Sequence, residues 1–270
     1  MVRKSGSNMT TVVCQSYRVE DVPGSIRRCL ETVSDWVARR GFDYRFEGDE
    51  FFDRVPGWYR DKVDQSKLPM SDLARLLWAR ALLGQGAQRV IWIDADVVVF
   101  DPDNFTIPNG LDYAFCREVW LRRGGRDKLL ATEGVHNAVC VFAAGNAFLD
   151  FYIHACEEIV RGADGPVLSH QVGPDFLGRL ADVIGGHLLT NVGLFSPIVT
   201  ADIAKGGGRA ATAQRRAFGH PVHAANLCAS FLNRPDDGFT LTEKIMTRAT
   251  DRLIETKGAV VNGTTGEPRD

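Results

Sequence analysis

Two carboxylates stand two residues apart in the most apolar run of the chain, RVIWIDADVVVF (89–100). Leaving two like charges side by side in a low-dielectric setting costs on the order of several kcal/mol unless a cation neutralises them. The β-branched neighbours Val90, Ile91, Ile93, Val97, Val98 and Val99 favour a strand, and alternation along a strand points Asp94 and Asp96 the same way. Two hard oxygen ligands on one face suit Mn²⁺ or Mg²⁺. The plainer alternative has Asp94 ending the strand and Asp96 capping a turn, and a bare D-x-D is too short to choose between them.

The rest of the composition narrows the classes. A chain of 270 residues, 44% hydrophobic and 24% charged, is ordinary for a soluble globular protein with a sizeable core. Its 32 basic and 34 acidic residues give a net charge of -2, so nothing draws it generally to nucleic acid or to an anionic membrane, and any phosphate binding must be local. Cys14, Cys29, Cys116, Cys140, Cys156 and Cys228 are widely spaced with no C-x-x-C pair, which reads as reduced, mostly buried thiols and a cytoplasmic protein. No signal peptide and no integral membrane segment are expected, because no uncharged apolar run approaches about eighteen residues.

Strand and helix signals alternate along the chain. TVVCQSY reads as a strand, and 24–40 as a helix with Ile26, Leu30, Val33 and Val37 on one face and Gly41 as its stop. FDYRFEG reads as a second strand, followed by a long connection holding a short helix. In SDLARLLWARALLG, Ser71 can cap a helix striped by Ala74, Leu77, Trp78 and Ala81. Strands at DYAFC and AVCVFA enclose a polar loop around RRGGRDK. Helices are expected over 146–160, in GPDFLGRLADVIGG and over 241–257, with KGGGRAATAQRR as a mobile basic loop whose Lys205, Arg209, Arg215 and Arg216 either stay solvated or close over a diphosphate. The simplest organisation is a flexible start (1–10), one α/β domain (11–258) with a mostly parallel sheet and flanking helices, and a flexible tail (259–270).

The segment SDLARLLWARALLGQGAQRVIWIDADVVV (71–99) resembles glycosyltransferases of the GT-A fold. The likeness is to the retaining families that include yeast-type initiating α-mannosyltransferases and the glycogenin-like and lipopolysaccharide galactosyltransferases, in which a helix beginning S-D-x-x-R precedes a strand ending in D-x-D. HNAVCVFAAG, SHQVGPDFL and GHPVHAANLCASF resemble later segments of those families. The resemblance implies a GT-A-like, Rossmann-like fold and a metal-dependent hexosyltransferase. Such an enzyme would move a hexose from a UDP- or GDP-sugar to a hydroxyl acceptor with retention of configuration.

The same resemblance implies roles for individual residues. Asp96, with Asp94 and a late histidine (His223 in preference to His220), would hold Mn²⁺ or Mg²⁺. Gln15, Ser16, Tyr17 and Arg18 at the end of the first strand would cradle the nucleotide, since ligands of open α/β sheets sit at strand carboxyl ends. Asp72, Arg75, Asp94, Ala95 and Asn137 would contact the donor. Arg75 lies three residues after Asp72, so the two share a helix face and could equally form an ordinary ion pair. Gln171 and Asp175 would neighbour the anomeric carbon in the transition state, although Asp175 could instead cap the helix of GPDF.

Two other functions compete. IDADVV also resembles the D-x-D-x-[TV] motif of haloacid-dehalogenase-type phosphatases, with Asp94 as nucleophile. That motif ends the first strand of its domain, whereas two β-α signals precede it here, and PDDGF (Asp236, Asp237) is a poor second acidic motif. The other competitor is a non-catalytic nucleotide-sugar-binding protein.

Overall fold

The structure, a computed structural model, describes residues 10–125, 128–236 and 238–263; the extreme ends assigned to the flexible start and tail, and part of the RRGGRDK loop, lie outside them. Strand β1 (Thr11–Ser16) is buried along its apolar run and leads into helix α1 (Gly24–Arg40), which buries Ile26, Cys29, Val33, Trp36 and Val37 at helical spacing. Gly41 stops α1 at φ 67°, a left-handed conformation that favours glycine.

After β2 (Asp43–Glu47) come α2 (Gly57–Lys62) and α3 (Lys67–Gly84). Helix α3 starts a full turn before the expected cap, and Ser66 rather than Ser71 precedes it. Pro69 fits inside the first turn because the leading N–H groups of a helix have no internal acceptor.

The acidic run is not one strand. It divides into β3 (Arg89–Ile93) and β4 (Val97–Val99), and the intervening residues form a turn in which the Val97 N–H donates to the Asp94 carbonyl at 3.1 Å. The chain continues through β5 (Tyr113–Arg123), β6 (Leu129–Ala143), α4 (Phe148–Arg161), α5 (Pro174–Ile184), β7 (Leu188–Leu189), β8 (Val192–Leu194) and α6 (Pro197–Ala204). It then forms α7 (Arg209–Phe218), β9 (Ala224–Asn226), β10 (Pro235–Asp236), β11 (Phe239–Thr240), α8 (Glu243–Glu255) and α9 (Ala259–Asn262).

Among the described residues the central sheet has the order β2-β1-β3-β6-β5-β7. The pairs β1/β2, β1/β3 and β5/β7 are parallel, while β6 runs antiparallel to both β3 and β5. Strand β4 leaves this sheet to pair with β9 in a smaller one, β4-β9-β8, which explains the turn at Asp94–Asp96: the chain changes sheets there.

Two loop expectations need correction. The segment after the glycine run is helix α7, whose Gln214 is buried and donates to the carbonyls of Val119 and Leu194. Residues 259–262, expected in the tail, form α9 with Val261 buried, and Asn262 exchanges hydrogen bonds with the backbone of Val222. Helix α8 is tied to α1 through Glu243, which accepts from the Ser25 N–H at 2.8 Å and the Ser25 hydroxyl at 2.9 Å.

Candidate active site

The carboxyl ends of β1 and β3 open on a cleft of about 870 Å³, the position where ligands of such sheets bind. Ser16, Tyr17, Arg18, Asp72, Arg75, Asp94, Ala95, Asp96, Asn137 and Asp175 all line it.

A hydrogen-bonded chain links four of them. Arg75 reaches Asp94 Oδ1 at 3.1 Å and Asp72 Oδ1 at 3.2 Å, and Asn137 Nδ2 donates to Asp72 Oδ1 at 2.8 Å. Helical spacing brings Asp72 and Arg75 together. Asn137 joins them because the β5/β6 register shifts between Ala114 and Cys116, which frees its carbonyl to accept from Arg75 Nη1 at 2.7 Å. Trp92, stacked on Phe51 at 5.1 Å, donates Nε1–H to Asp94 Oδ1 at 2.6 Å. The guanidinium of Arg75 also lies over the Trp92 ring. Burial pushes Asp72 up to about 6 against the pull of Arg75 and Asn137. It raises Asp94 as well, again opposed by Arg75.

Asp96 is held from the late part of the chain. Its Oδ1 accepts from Asn226 Nδ2 at 2.7 Å and its Oδ2 from the Ala229 N–H at 2.8 Å. Burial, and then the neighbouring charge of Asp94, push its carboxyl up to about 7. Among the described residues no group of three or more His, Cys, Asp and Glu side chains is placed to hold a metal ion. Two carboxylates on a turn nevertheless fit Mg²⁺ or Mn²⁺ of the kind held by one or two carboxylates and completed by substrate phosphates and water.

Several expected residues sit elsewhere. His223 lies opposite Phe100, with Nδ1 bonded to Asp101 Oδ2 at 2.9 Å, four strand positions (about 13 Å) from Asp96. The late segment does reach the acid pair, but through Asn226 and Ala229. His220 lines a separate small cavity near α7. Gln15 is buried behind the cleft, bridging the Asp94 carbonyl and the Tyr44 hydroxyl, so it braces the acid turn. The Gln171 side chain turns back to accept from the Leu168 N–H at 3.1 Å and is absent from the cleft lining. Asp175 stands in the first turn of α5 and pairs with His170 at 3.3 Å. Lys205, Arg209, Arg215 and Arg216 do not line the cleft. Of the phosphatase-like motifs, Asp94 has its Oδ1 held by Arg75 and Trp92, and Asp237 lies outside the described residues.

The sequence reading missed the β5/β6 hairpin wall. Glu118, Trp120, Thr132 and His136 line the cleft from it, and Phe231 joins Trp120 with ring centroids 5.4 Å apart. Burial, then the charge of Asp175, push Glu118 up to about 7. Burial alternates along Glu118, Val119, Trp120 and Leu121, but the three consecutive apolar residues hide that period in the sequence.

No family model and no curated protein matches the chain. Among solved structures, a glycosyltransferase involved in the glycosylation of the major capsid of PBCV-1 is similar over 88% of this chain and 98% of its own, with 10% identity and a TM-score of 0.50. A197 from STIV overlaps 53% of this chain and 68% of its own with 14% identity, at a TM-score of 0.28 that carries no weight. The first likeness shows the fold: an α/β, glycosyltransferase-type arrangement with a mostly parallel central sheet and flanking helices.

Proposed function

We propose that the protein is a hexosyltransferase that moves a hexose from a UDP- or GDP-linked donor to a hydroxyl acceptor, using a divalent cation and retaining the anomeric configuration. The observation that carries this reading is the convergence of Asp72, Arg75, Asp94 and Asn137 in one bonded chain at the strand ends, with Asp96 facing the same cleft.

Breaking the bond from the anomeric carbon to the nucleoside diphosphate leaves about two negative charges on the departing phosphates. Bound Mn²⁺ or Mg²⁺, held by Asp96 with Asp94 alongside, supplies the Lewis-acid neutralisation of that charge. Ser16, Tyr17 and Arg18 border the nucleotide end, and Asp72 and Asn137 offer acceptor and donor atoms to the sugar hydroxyls. Arg75 opposes the upward push that burial exerts on Asp72 and Asp94 and fixes both carboxylates in place.

Retention rests on the S-D-x-x-R helix followed by D-x-D. Glu118 and Asp175 are among the cleft carboxylates that an inverting reaction would use as base. Six free, buried thiols support a reducing, cytoplasmic setting. Among the described residues no helix is long and apolar enough to cross a membrane.

The test is release of UDP or GDP from UDP-glucose, UDP-galactose and GDP-mannose, with and without Mn²⁺, followed by NMR of the transferred sugar's anomeric coupling. Metal-dependent release with retained configuration is expected. Binding of a donor with no turnover would identify a nucleotide-sugar binder instead, and an inverted product would give Glu118 or Asp175 the role of base.

A further inference from the structure

Across the sheet the cleft has a fixed lateral order. The end of β1 (Ser16, Tyr17) lies on one side, the acid turn after β3 lies in the middle, and the β5/β6 hairpin lies on the other side. If the nucleotide takes the β1 side and its phosphates the acid turn, the attacking hydroxyl must come from the hairpin side.

The cross-strand register defines what that side offers. Trp120 pairs with Thr132, Glu118 with Gly134 and Cys116 with His136, and side chains at alternate positions share a face. Gly134 carries no side chain where Glu118 lies across it; a Cβ there would stand 3.7 Å from the Glu118 Cδ. The carboxylate therefore occupies a gap between the aromatic rung and the histidine rung. Trp120 and Phe231 together form an aromatic wall at the outer end.

His136 supplies an independent sign of a ligand. It is 3% exposed, and burial pushes its imidazole down to about 3, so the ring is neutral. Its Nδ1 accepts from the Ala138 N–H at 3.4 Å, which puts the ring proton on Nε2. That Nε2 is buried with no hydrogen-bond partner, although the residue lines the cleft. A buried donor left unpaired is costly, by about 1–3 kcal/mol, and calls for an acceptor atom.

We propose that this wall is the acceptor subsite and that its occupant is a saccharide, with a sugar ring against Trp120 and Phe231, a non-reacting sugar hydroxyl donating to Glu118, and the neighbouring rung of His136 donating to a sugar oxygen. The proposal rests on the hexosyltransferase reading for the donor's position. An apolar face beside convergent acceptor and donor groups matches a pyranose, which has an apolar C–H face and a rim of hydroxyls. A lipid alcohol would leave Glu118 and His136 largely unmatched.

The experiment is saturation-transfer NMR with mono- and disaccharides of glucose, galactose and mannose, on the protein alone and with UDP or GDP plus Mn²⁺. Binding of at least one saccharide is expected, weakened at least about tenfold in Trp120→Ala and largely restored in Trp120→Phe. Glu118→Gln, which keeps the volume and one acceptor oxygen, is expected to weaken saccharide binding less than Trp120→Ala does. Absence of a saccharide signal in both states, or a signal of full strength in Trp120→Ala, overturns the proposal. Failure of the donor reading looks different: saccharide binding persists while calorimetry shows no heat with UDP or GDP. Nucleotide affinity and circular dichroism report whether each variant is folded.

Discussion

Asn226 donates to Asp96 across 130 positions of sequence, and the Asn226 Oδ1 is itself fixed by the Cys228 N–H at 2.7 Å. The amide is thus locked with its donor toward the carboxylate. Replacing it by Asn226→Asp adds a carboxylate beside Asp96. The variant should lose on the order of 1–3 kcal/mol of stability in chelator and gain more from Mn²⁺ than the wild type does. Thermal melts with EDTA and with Mn²⁺ check this, and equal gains in the two proteins would count against a cation at Asp96.

Arg75 neutralises two carboxylates at once, Asp72, which is buried, and Asp94, which is part-exposed. Arg75→Ala should cost on the order of 3 kcal/mol in urea unfolding, because buried Asp72 and part-buried Asp94 lose their cationic partner and keep only the neutral donors Asn137 and Trp92. Adding Asp72→Asn removes one of those charges and should return part of the loss. A double variant no more stable than Arg75→Ala would contradict this account of the network.

The pH dependence follows from Asp96, whose carboxyl is pushed up to about 7 from an ordinary value of 3.8. A raised folded-state value means the native state holds the proton more tightly. Its contribution is therefore full below the unfolded value and lost as pH rises through about 7. A cation takes the proton's place, so the Mn²⁺-induced rise in melting temperature should grow between about pH 5.5 and about pH 8.5. A rise of the same size at both ends would show that Asp96 does not bind the ion.

His223 is spent on Asp101, away from the acid pair. His223→Ala should lower stability by about 1 kcal/mol and leave Mn²⁺-dependent nucleotide affinity within about twofold. Calorimetry and urea unfolding of the variant check both parts. Loss of the metal dependence would restore the histidine to the site.

Where the sequence succeeded, short-range periodicity coincided with what the fold buries. Helix α1 ends at Gly41 as its spacing predicts, and Asp72, Arg75 and Asp94 meet because a helix face and a strand end bring them together, with Asp96 lining the same cleft. It failed where a distant partner decided the outcome. The division of the apolar run at Asp94–Asp96 depends on β9, more than a hundred residues later, drawing β4 into another sheet. Choosing between His223 and Asn226 required the β4/β9 register, since Val97, beside Asp96, faces Asn226. Glu118 and Trp120 were overlooked because β5 runs well past the apolar stretch that marks its start, and its outer half is stabilised by pairing with β6.

The central claim is that Asp96 and a divalent cation together hold a nucleoside diphosphate at the strand ends. Titration calorimetry with UDP and with GDP, each with Mn²⁺ and with EDTA, on the wild type and on Asp96→Ala tests it most directly. At least one nucleotide should bind the wild type at least about tenfold more tightly with Mn²⁺, and Asp96→Ala should abolish that difference. Equal affinity with and without the ion, or an unchanged difference in Asp96→Ala, would contradict the account.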